Sequence, residues 1–231
     1  MATTLPKPLK ERERLAALAS YRILDTAPEQ SYDDITAVAA QICGTPIALV
    51  SLVDPDRQWF KSRVGLDARE TARNIAFCDH TIRGDDVMVV RDARQDERFR
   101  HSPLVLEEPH VRFYAGAPLV DSEGHNLGAL CVIDRNPRQL SDQQLAALEA
   151  LARMVIDQLT QRRTTRKLAE ALERVHLLDK LVPVCSYCKK IREDNEFWQD
   201  LDTYLRQESG ADLTHGVCPE CLEVELAKAE N

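Results

Sequence analysis

The sequence contains no long apolar run. Its longest nearly uninterrupted apolar stretch, PIALVSLV, covers residues 46–53, whereas a membrane-spanning helix needs about 20 apolar residues. The first residues, MATTLPKPLKERERL, are polar and charged where a secretory signal would have an apolar segment. Because 44% of the 231 residues are hydrophobic and 29% are charged, we expect a globular, cytoplasmic protein without membrane association.

Positive charge is also scarce. The formal net charge is -8 at pH 7, and the only basic block is QRRTTRK, residues 161–167. Since nucleic-acid affinity comes mainly from neutralising phosphates with Lys and Arg, we expect no nucleic-acid partner. Short mixed runs of this kind usually form the solvated face of a helix, and this is our prediction for residues 161–167.

Several motifs of enzyme sites are missing as well. The sequence has no Walker A loop, no G-x-G-x-x-G, no H-E-x-x-H and no G-x-S-x-G. The sequence therefore contains none of these motifs for a phosphate-binding loop, a metalloprotease site or a serine nucleophile. We expect a protein without catalytic activity.

Cysteine is the residue type that does form a pattern. The chain has seven cysteines, an odd number without an export signal, which argues against a disulfide scaffold. Cys185 with Cys188 and Cys218 with Cys221 form two C-x2-C pairs. In a reducing compartment, this pattern predicts a structural zinc ion held by four thiolates. The alternative is a redox dithiol pair.

The spacing of these pairs predicts a small, metal-stabilised tail with a treble-clef-like layout. Twenty-nine residues lie between Cys188 and Cys218, more than the ~15–20 of a simple ribbon, and they include an amphipathic stretch at 196–207. The second pair begins a helical segment, whose N-terminal dipole favours thiolates. A tail of about 50 residues has too small a core to fold unaided, so zinc would supply its stability. His215 could replace a cysteine ligand, but is better explained as a neighbour of the site.

Hydrophobic periodicity predicts helices followed by two hairpins. Apolar residues recur at helical spacing over 11–24 and 31–42. The period then changes, and the predicted strands are 47–53, 58–64, 87–91, 114–120 and 127–134. Pro118 lies inside one of these strands, which by itself would place that strand at an edge or a bulge.

A long helix is predicted after a capping motif at Ser141. Two apolar seams follow, the first formed by Leu145, Leu148, Ala152, Val155 and Leu159 and the second, shifted in phase, by Leu168, Leu172 and Val175. One helix with a torsion joint, and two helices separated by a loop at Thr164 and Thr165, both fit this pattern. An exposed coiled-coil seam needs a partner, most simply a second copy of the chain, so we expect a homodimer.

The segment FCDH, residues 77–80, is a second candidate site. A cysteine two residues before a histidine at a strand-to-helix turn suits a nucleophile with its base, a haem or bilin attachment, or a metal pair. The alternative is a buried core cysteine, Cys78, beside a helix-capping Asp79. Cys43 and Cys131 lie on apolar faces, and we predict both as core residues.

Motifs along most of the chain support a family assignment. They are ERLAALASYRILDTAPE, TPIALVSLVDPDRQWFKSRVGLDARET, NIAFCDHTI, DARQDERF, VRFYAGAPLV and LGALCVID. This set resembles the GAF domains of bacterial signalling proteins, particularly those attached to histidine kinases and diguanylate cyclases. The resemblance implies an α+β fold, in which an antiparallel sheet containing Pro118 has helices on one side and loops over a ligand pocket on the other. The tail resembles a short cysteine module at the C-termini of bacterial response-regulator and sensor proteins.

The resemblance also implies an organisation in three parts. These are a sensory GAF domain (1–160), a helical or coiled-coil linker (161–180) and a zinc-binding module (181–231). No phospho-acceptor helix, ATP-binding domain or GG[DE]EF sequence is present, so we expect a sensor without its own output enzyme. By position, the residues expected to line the pocket are Cys78, His80, Phe99, Arg112 and Tyr114.

Three functional hypotheses follow. The first is a dimeric, non-catalytic bacterial signalling module, in which a small molecule or partner binds the GAF pocket and the helix passes the change to the zinc-stabilised tail. The second is a thiol reductase of the free-methionine-sulfoxide type that uses Cys78. The third is a pure dimeric adaptor without a ligand, for which substitutions at Leu148, Val155 and Leu159 would abolish function.

Overall fold

The computed structural model describes residues 7–178, 183–192, 198–209 and 216–229. The chain divides into two compact units, Met1–Leu168 and Ala169–Asn231. Within the described residues, no helix is both long and apolar enough to cross a membrane.

The first unit combines helices with one antiparallel sheet. Its helices are α1 (Lys7–Tyr21), α2 (Gln30–Cys43), α3 (Phe77–Thr81), α4 (Pro103–Leu106) and α5 (Asp142–Leu178), which continues beyond the unit. Its strands are β1 (Ile47–Val53), β2 (Arg57–Val64), β3 (Glu70–Ala72), β4 (Met88–Val90), β5 (Phe113–Val120) and β6 (Asn126–Asp134). The strand order is β3-β2-β1-β6-β5-β4. The α+β class and both predicted hairpins are confirmed.

The central strand β1 is buried on both faces. Ala48, Val50 and Leu52 belong to a core shared with α1, α2 and α5. Leu49 and Val53 belong to a second core that includes α3. Successive side chains of a strand point to opposite faces, so the sheet separates a helical layer from the layer that contains the candidate site.

Pro118 lies within β5, as the resemblance implies. It pairs with Ala129 of β6, whereas the pairing of β5 with β4 ends at Gly116. Because β4 is only three residues long, none of the described strands pairs with the outer side of Pro118. The missing N–H of proline therefore leaves both ladders intact.

Helix α5 is continuous through Thr164 and Thr165, so the loop proposed there does not form. The hydroxyl of Thr164 donates to the carbonyl of Thr160 at 2.9 Å, within the helix. At the other end, the predicted capping motif is present. The hydroxyl of Ser141 accepts the main-chain N–H of Gln144, and the Gln144 side chain accepts the N–H of Ser141.

The first seam of α5 is not a surface for a second copy. Its central residues are almost completely buried in the helical core of the first unit, and they are Leu148, Ala152, Val155 and Leu159. The coiled-coil prediction is wrong for this seam, because its face packs on the chain's own core. In the second seam, Leu168 and Leu172 are about 60% exposed, and the side chain of Val175 lies outside the described part of the chain. The homodimer stays a prediction.

The basic block at 161–167 contacts α1, and our prediction of a solvated face is wrong for its arginines. Arg166 donates hydrogen bonds to the main-chain carbonyls of Tyr21 at 2.8 Å and Ser20 at 3.0 Å. The guanidinium of Arg163 lies 4.2 Å from the centroid of the Tyr21 ring. Since the last carbonyls of a helix have no intrahelical partner, this block caps the C-terminus of α1.

The second unit contains short elements. Those described are β7 (Ile191–Arg192), β8 (Trp198–Gln199), α6 (Leu201–Ser209) and α7 (Pro219–Ala229), and β7 pairs with β8. In the described part of the amphipathic stretch predicted as helix, residues 198–207, the strand β8 precedes the helix α6. The second cysteine pair lies at the start of a helix, as predicted.

Candidate ligand-binding site

A cavity of about 380 Å³ lies between the sheet and α3. Charged residues contribute only to its exposed part, at Asp67, Glu108 and Arg135. The walls are mostly apolar and include Leu49, Phe60, Leu66, Phe77, Val111 and Ile133. A partly open, mostly apolar cavity with a few polar groups is typical of small-molecule sites.

Two side-chain oxygens in the described cavity wall lack hydrogen-bond partners. Gln58 Oε1 and Thr71 Oγ1 are buried and unpaired among the described residues, and both residues line the cavity. Gln58 of β2 lies directly opposite Thr71 of β3, so their side chains share one face of the sheet. Gln58 is only 5% exposed. An unsatisfied buried group costs about 1–3 kcal/mol, so this wall offers a polar position that a bound molecule could satisfy.

A buried cluster of sulfur and hydroxyl groups forms another part of the wall. The Tyr114 hydroxyl donates to Cys78 Sγ at 3.2 Å, and its oxygen lies 2.7 Å from Thr81 Oγ1. Cys78 Sγ and Cys131 Sγ are 3.7 Å apart, and both residues are buried. The predicted core positions of Cys131 and Cys43 are confirmed.

The two neighbouring thiols differ in acidity. Burial opposes ionisation of Cys78, but hydrogen bonding with Cys131 and Tyr114 outweighs it and lowers the pKa of the Cys78 thiol. The interaction with Cys78, together with burial, raises the pKa of Cys131 well above its ordinary value.

Ion pairs hold α3 in place. Arg73 donates to Asp79 at 2.8 Å and to Glu11 of α1 at 2.7 Å, and Arg83 binds the other carboxylate oxygen of Asp79. Burial opposes ionisation of Asp79, but the two arginines outweigh it and lower the pKa of this carboxyl. Asp79 thus ties α3 to Arg73 and does not cap the helix with its side chain, contrary to the prediction. The helix that carries Cys78 is connected to α1 in this way.

Of the five residues expected to line the pocket, Cys78 and Tyr114 do so. The His80 ring contacts Phe99 edge-on, with centroids 4.8 Å apart. Phe99 in turn stacks on Phe77 at 4.0 Å. His80 and Phe99 are therefore placed behind the cavity wall, where they support Phe77.

Arg112 also lies outside the cavity lining. Its guanidinium donates to the main-chain carbonyls of Val105 at 2.7 Å and Val111 at 3.1 Å. Arg112 therefore stabilises the loop after α4.

His80, which also lies outside the cavity lining, is partly buried. Burial lowers the pKa of its imidazole.

Sequence reasoning missed Gln58 and Thr71. Alternation along β2 places Gln58 on the same face as Phe60, which is buried. A polar residue, Gln58, on the same strand face as an aromatic core residue, Phe60, could have indicated a polar group in a cavity wall. No sequence pattern could have identified Thr71, because β3 has only three residues and is too short to show alternation.

A larger but more open depression lies beside β4 and the start of α5. It measures about 860 Å³. Two carboxylates that line it already pair with arginines nearby, Asp92 with Arg94 and Asp96 with Arg98, each at 2.7 Å. The smaller cavity is the better candidate for a binding site, because Gln58 Oε1 and Thr71 Oγ1 in its wall have no hydrogen-bond partner among the described residues.

The cysteine pairs of the second unit each form a compact turn. In the first, the N–H of Lys189 donates to the carbonyl of Cys185 at 3.1 Å, with Lys189 in the left-handed conformation. A main-chain hydrogen bond from Cys188 lowers the pKa of Cys185. Cys218 directly precedes α7, and a main-chain hydrogen bond from Cys221 lowers its pKa. Each pair is suited to supply half of a four-thiolate site.

The structure does not bring the two pairs together as a metal site. Across the four described segments, no group of three or more His, Cys, Asp or Glu side chains is arranged to hold a metal ion. All seven cysteines are free thiols. His215, the predicted alternative ligand, lies outside the described residues.

One curated relative covers most of this chain. A cyclic di-GMP phosphodiesterase of Pseudomonas aeruginosa is 44% identical over 168 residues, which make up 72% of this chain and 29% of that enzyme. The chain therefore spans less than a third of the length of this relative.

Solved structures and a family model agree on the fold. The GAF domains of phosphoenolpyruvate-protein phosphotransferases from Acinetobacter and Coxiella burnetii align with TM-scores of 0.51 and 0.52 and identities of 15% and 13%. These alignments cover 69% and 70% of this chain and 97% and 99% of the two solved domains. The model of the GAF domain matches residues 27–159. Since this match covers more than half of the chain, the protein belongs to the GAF domain family.

Proposed function

We propose that the first unit senses a small molecule in the cavity between the sheet and α3, and passes its occupancy to α5. The observation that carries this proposal is the partly open, mostly apolar cavity, in whose wall Gln58 Oε1 is buried without a hydrogen-bond partner among the described residues. Its volume of about 380 Å³ is at the lower end of the range for small-molecule sites. The chain is a GAF signalling module, and ligand sensing is the role that this cavity supports.

Direct contacts connect the cavity to α5. Helix α3 contributes Cys78 to the cavity wall, and the Asp79–Arg73 ion pair joins α3 to Glu11 of α1. The C-terminus of α1 is in turn held by Arg166 of α5. A ligand that shifts α3 would bias α5 through this connection, provided that it binds two arrangements of these helices with different affinity.

The proposed role is non-catalytic. The Pseudomonas relative is named as a phosphodiesterase, but most of its length lies outside the match. Its activity is therefore not carried over to this chain.

We also propose that the tail binds one structural zinc ion through Cys185, Cys188, Cys218 and Cys221, and that the chain forms a homodimer. The support for zinc is the spacing of the pairs and the turn that each pair forms. Metal binding would have to gather the two pairs, as expected where binding is coupled to folding. The support for a dimer is the exposure of Leu168 and Leu172.

Thermal unfolding in the presence of a bacterial low-molecular-mass filtrate tests the sensing role. We expect the filtrate to raise the melting temperature of the wild type, because a molecule that binds only the folded state stabilises it. Ala68 is an exposed cavity residue, so Ala68→Trp should fill the opening and abolish the shift. Ala146→Trp, at an exposed position of α5, is the matched control. Equal shifts in all three proteins would contradict binding in the cavity.

A thiol reductase is the second candidate, favoured by the 3.7 Å separation of Cys78 and Cys131. Two thiols would reduce a sulfoxide to a thioether, with formation of one disulfide and release of one water. Reduced protein incubated with free methionine sulfoxide would then yield methionine, and Cys78→Ser would not. The sensing proposal expects no methionine from either protein. A ligand-free adaptor would show no filtrate effect.

A further inference from the structure

We infer that the cavity selects a small, uncharged aromatic molecule that donates a hydrogen bond, and that Gln58 and Thr71 determine this specificity. The inference rests on the proposed sensing function and names the chemical class of its ligand. It depends on three properties of the cavity wall, namely its charge, its aromatic surface and its unpaired polar atoms.

The distribution of charge favours an uncharged ligand. The charged lining residues, Asp67, Glu108 and Arg135, are all exposed. The buried lining residues carry no counter-charge for a ligand ion. Because an unpaired charge is costly to bury, an ionised molecule would have to remain at the opening.

The walls favour an aromatic ligand. Three rings line the cavity, those of Phe60, Phe77 and Tyr114. The Phe77 and Tyr114 rings are stacked, with centroids 5.2 Å apart and an interplanar angle of 30°, so the wall holds two aromatic rings in contact with each other. Aromatic pairs gain stability beyond their buried area. The volume of about 380 Å³ suits a molecule of one or two fused rings.

The unpaired atoms require a donor on the ligand. Gln58 Oε1 is an acceptor, while the Thr71 hydroxyl can donate or accept. They do not bond each other, since both lack a partner among the described residues. The Tyr114 hydroxyl is already engaged with Cys78 and Thr81. A ligand N–H or O–H group at Gln58 therefore satisfies a buried acceptor of the wall that has no partner among the described residues.

Three molecules of the same shape test this inference by calorimetry on the full chain. Indole carries an N–H donor, benzofuran an acceptor oxygen, and indene neither. We expect indole to bind about tenfold more tightly than the other two, because their binding leaves the acceptor of Gln58 unpaired. Ala68→Trp should abolish binding of all three.

Two variants assign the preference to its residues. Gln58→Leu should remove the advantage of indole over indene, and Thr71→Val should reduce it. Gln143→Leu, at an exposed position of α5, should leave the advantage unchanged. The measured ratio of the two affinities does not depend on small changes in stability.

The outcomes separate this inference from the function on which it rests. Equal, Ala68-dependent binding of indole and indene would retain the cavity as a site and overturn the donor preference. Tighter binding of benzofuran would overturn the assigned role of the acceptor. Failure of all three to bind would overturn the ligand class, whereas the filtrate experiment would still decide whether the cavity senses a molecule.

Discussion

The guanidinium of Arg166 in α5 donates a hydrogen bond to the main-chain carbonyl of Tyr21 at 2.8 Å, at the last residue of α1. Two helices separated by more than 100 residues are thereby joined at one helix terminus. A cation at this position satisfies unpaired carbonyls and complements the helix dipole. The basic block is therefore part of the first unit's own structure.

We expect Arg166→Met to lower the free energy of unfolding by about 1 kcal/mol, because the carbonyls at the end of α1 lose a charged donor. Urea unfolding of the full chain measures this change. Lys167→Met is the control, since Lys167 is exposed. An equal effect of the two substitutions would argue against the helix-capping role.

We expect Gln58→Leu to raise the free energy of unfolding of the ligand-free protein by about 1 kcal/mol. The substitution replaces an unsatisfied buried amide with an apolar side chain of similar size. Chemical denaturation without added ligand is the measurement, with Gln143→Leu as the surface control. A loss of stability would show that the amide of Gln58 is satisfied in solution.

We expect Gly128→Ala to destabilise the protein by about 3 kcal/mol or more. A Cβ atom on Gly128 would lie 1.9 Å from the main-chain oxygen of Ser51 on the neighbouring strand. The two central strands β1 and β6 would then have to separate. Gly84→Ala is the matched control, because a Cβ atom there meets nothing within 4 Å. Similar melting temperatures for both variants would contradict the close approach.

Glu11 gives an expected pH dependence. Hydrogen bonds from Arg14 and Arg73 lower its pKa from 4.5 to about 2. A lowered folded-state pKa stabilises the protein above pH 4.5, and this contribution is lost as the pH falls towards 2. We therefore expect Glu11→Gln to destabilise the protein at neutral pH, and to differ less from the wild type as the pH falls below 4.5.

Urea unfolding at a series of pH values checks this dependence on Glu11. Glu13→Gln is the control on the same helix, because Glu13 is exposed. A constant difference between the wild type and Glu11→Gln across the acidic range would contradict the expectation.

For the tail, we expect one zinc ion per chain by native mass spectrometry. Cys188→Ser and Cys221→Ser should each lose the ion, whereas Cys43→Ala, in the helical core, should keep it. A chelator should then lower the hydrogen-exchange protection of α6 and α7, because metal binding supplies the stability of a small domain. If α6 and α7 had the same hydrogen-exchange protection with and without zinc, a structural role of the metal would be contradicted.

Local patterns predicted much of the first unit. The two hairpins, the helix α2 and the capping motif at Ser141 each depend on a short periodic segment or a few neighbouring residues. The position of the motifs that resemble a GAF domain identified two cavity residues, Cys78 and Tyr114. Motif resemblance added the family and the internal position of Pro118.

Non-local contacts account for what local patterns predicted incorrectly. The apolar seam of α5 has the same spacing whether it faces a second copy or the chain's own sheet, and packing alone placed Leu148 and Val155 in the core. Likewise, the side chains of a basic run can be solvated or can bind the C-terminus of another helix. Arg166 binds the main-chain carbonyl of Tyr21 because the fold places the end of α1 beside it.

By itself, the sequence determined the α+β class, the order of the main elements, membership of the GAF family and the spacing of the cysteine pairs. Only the tertiary structure decided which polar atoms meet in the cavity. Gln58 and Thr71 became a pair because β2 and β3 align in one register, and Cys78 met Cys131 because α3 packs on β6. Contacts of this kind depend on how distant segments pack, and no short stretch of sequence contains that information.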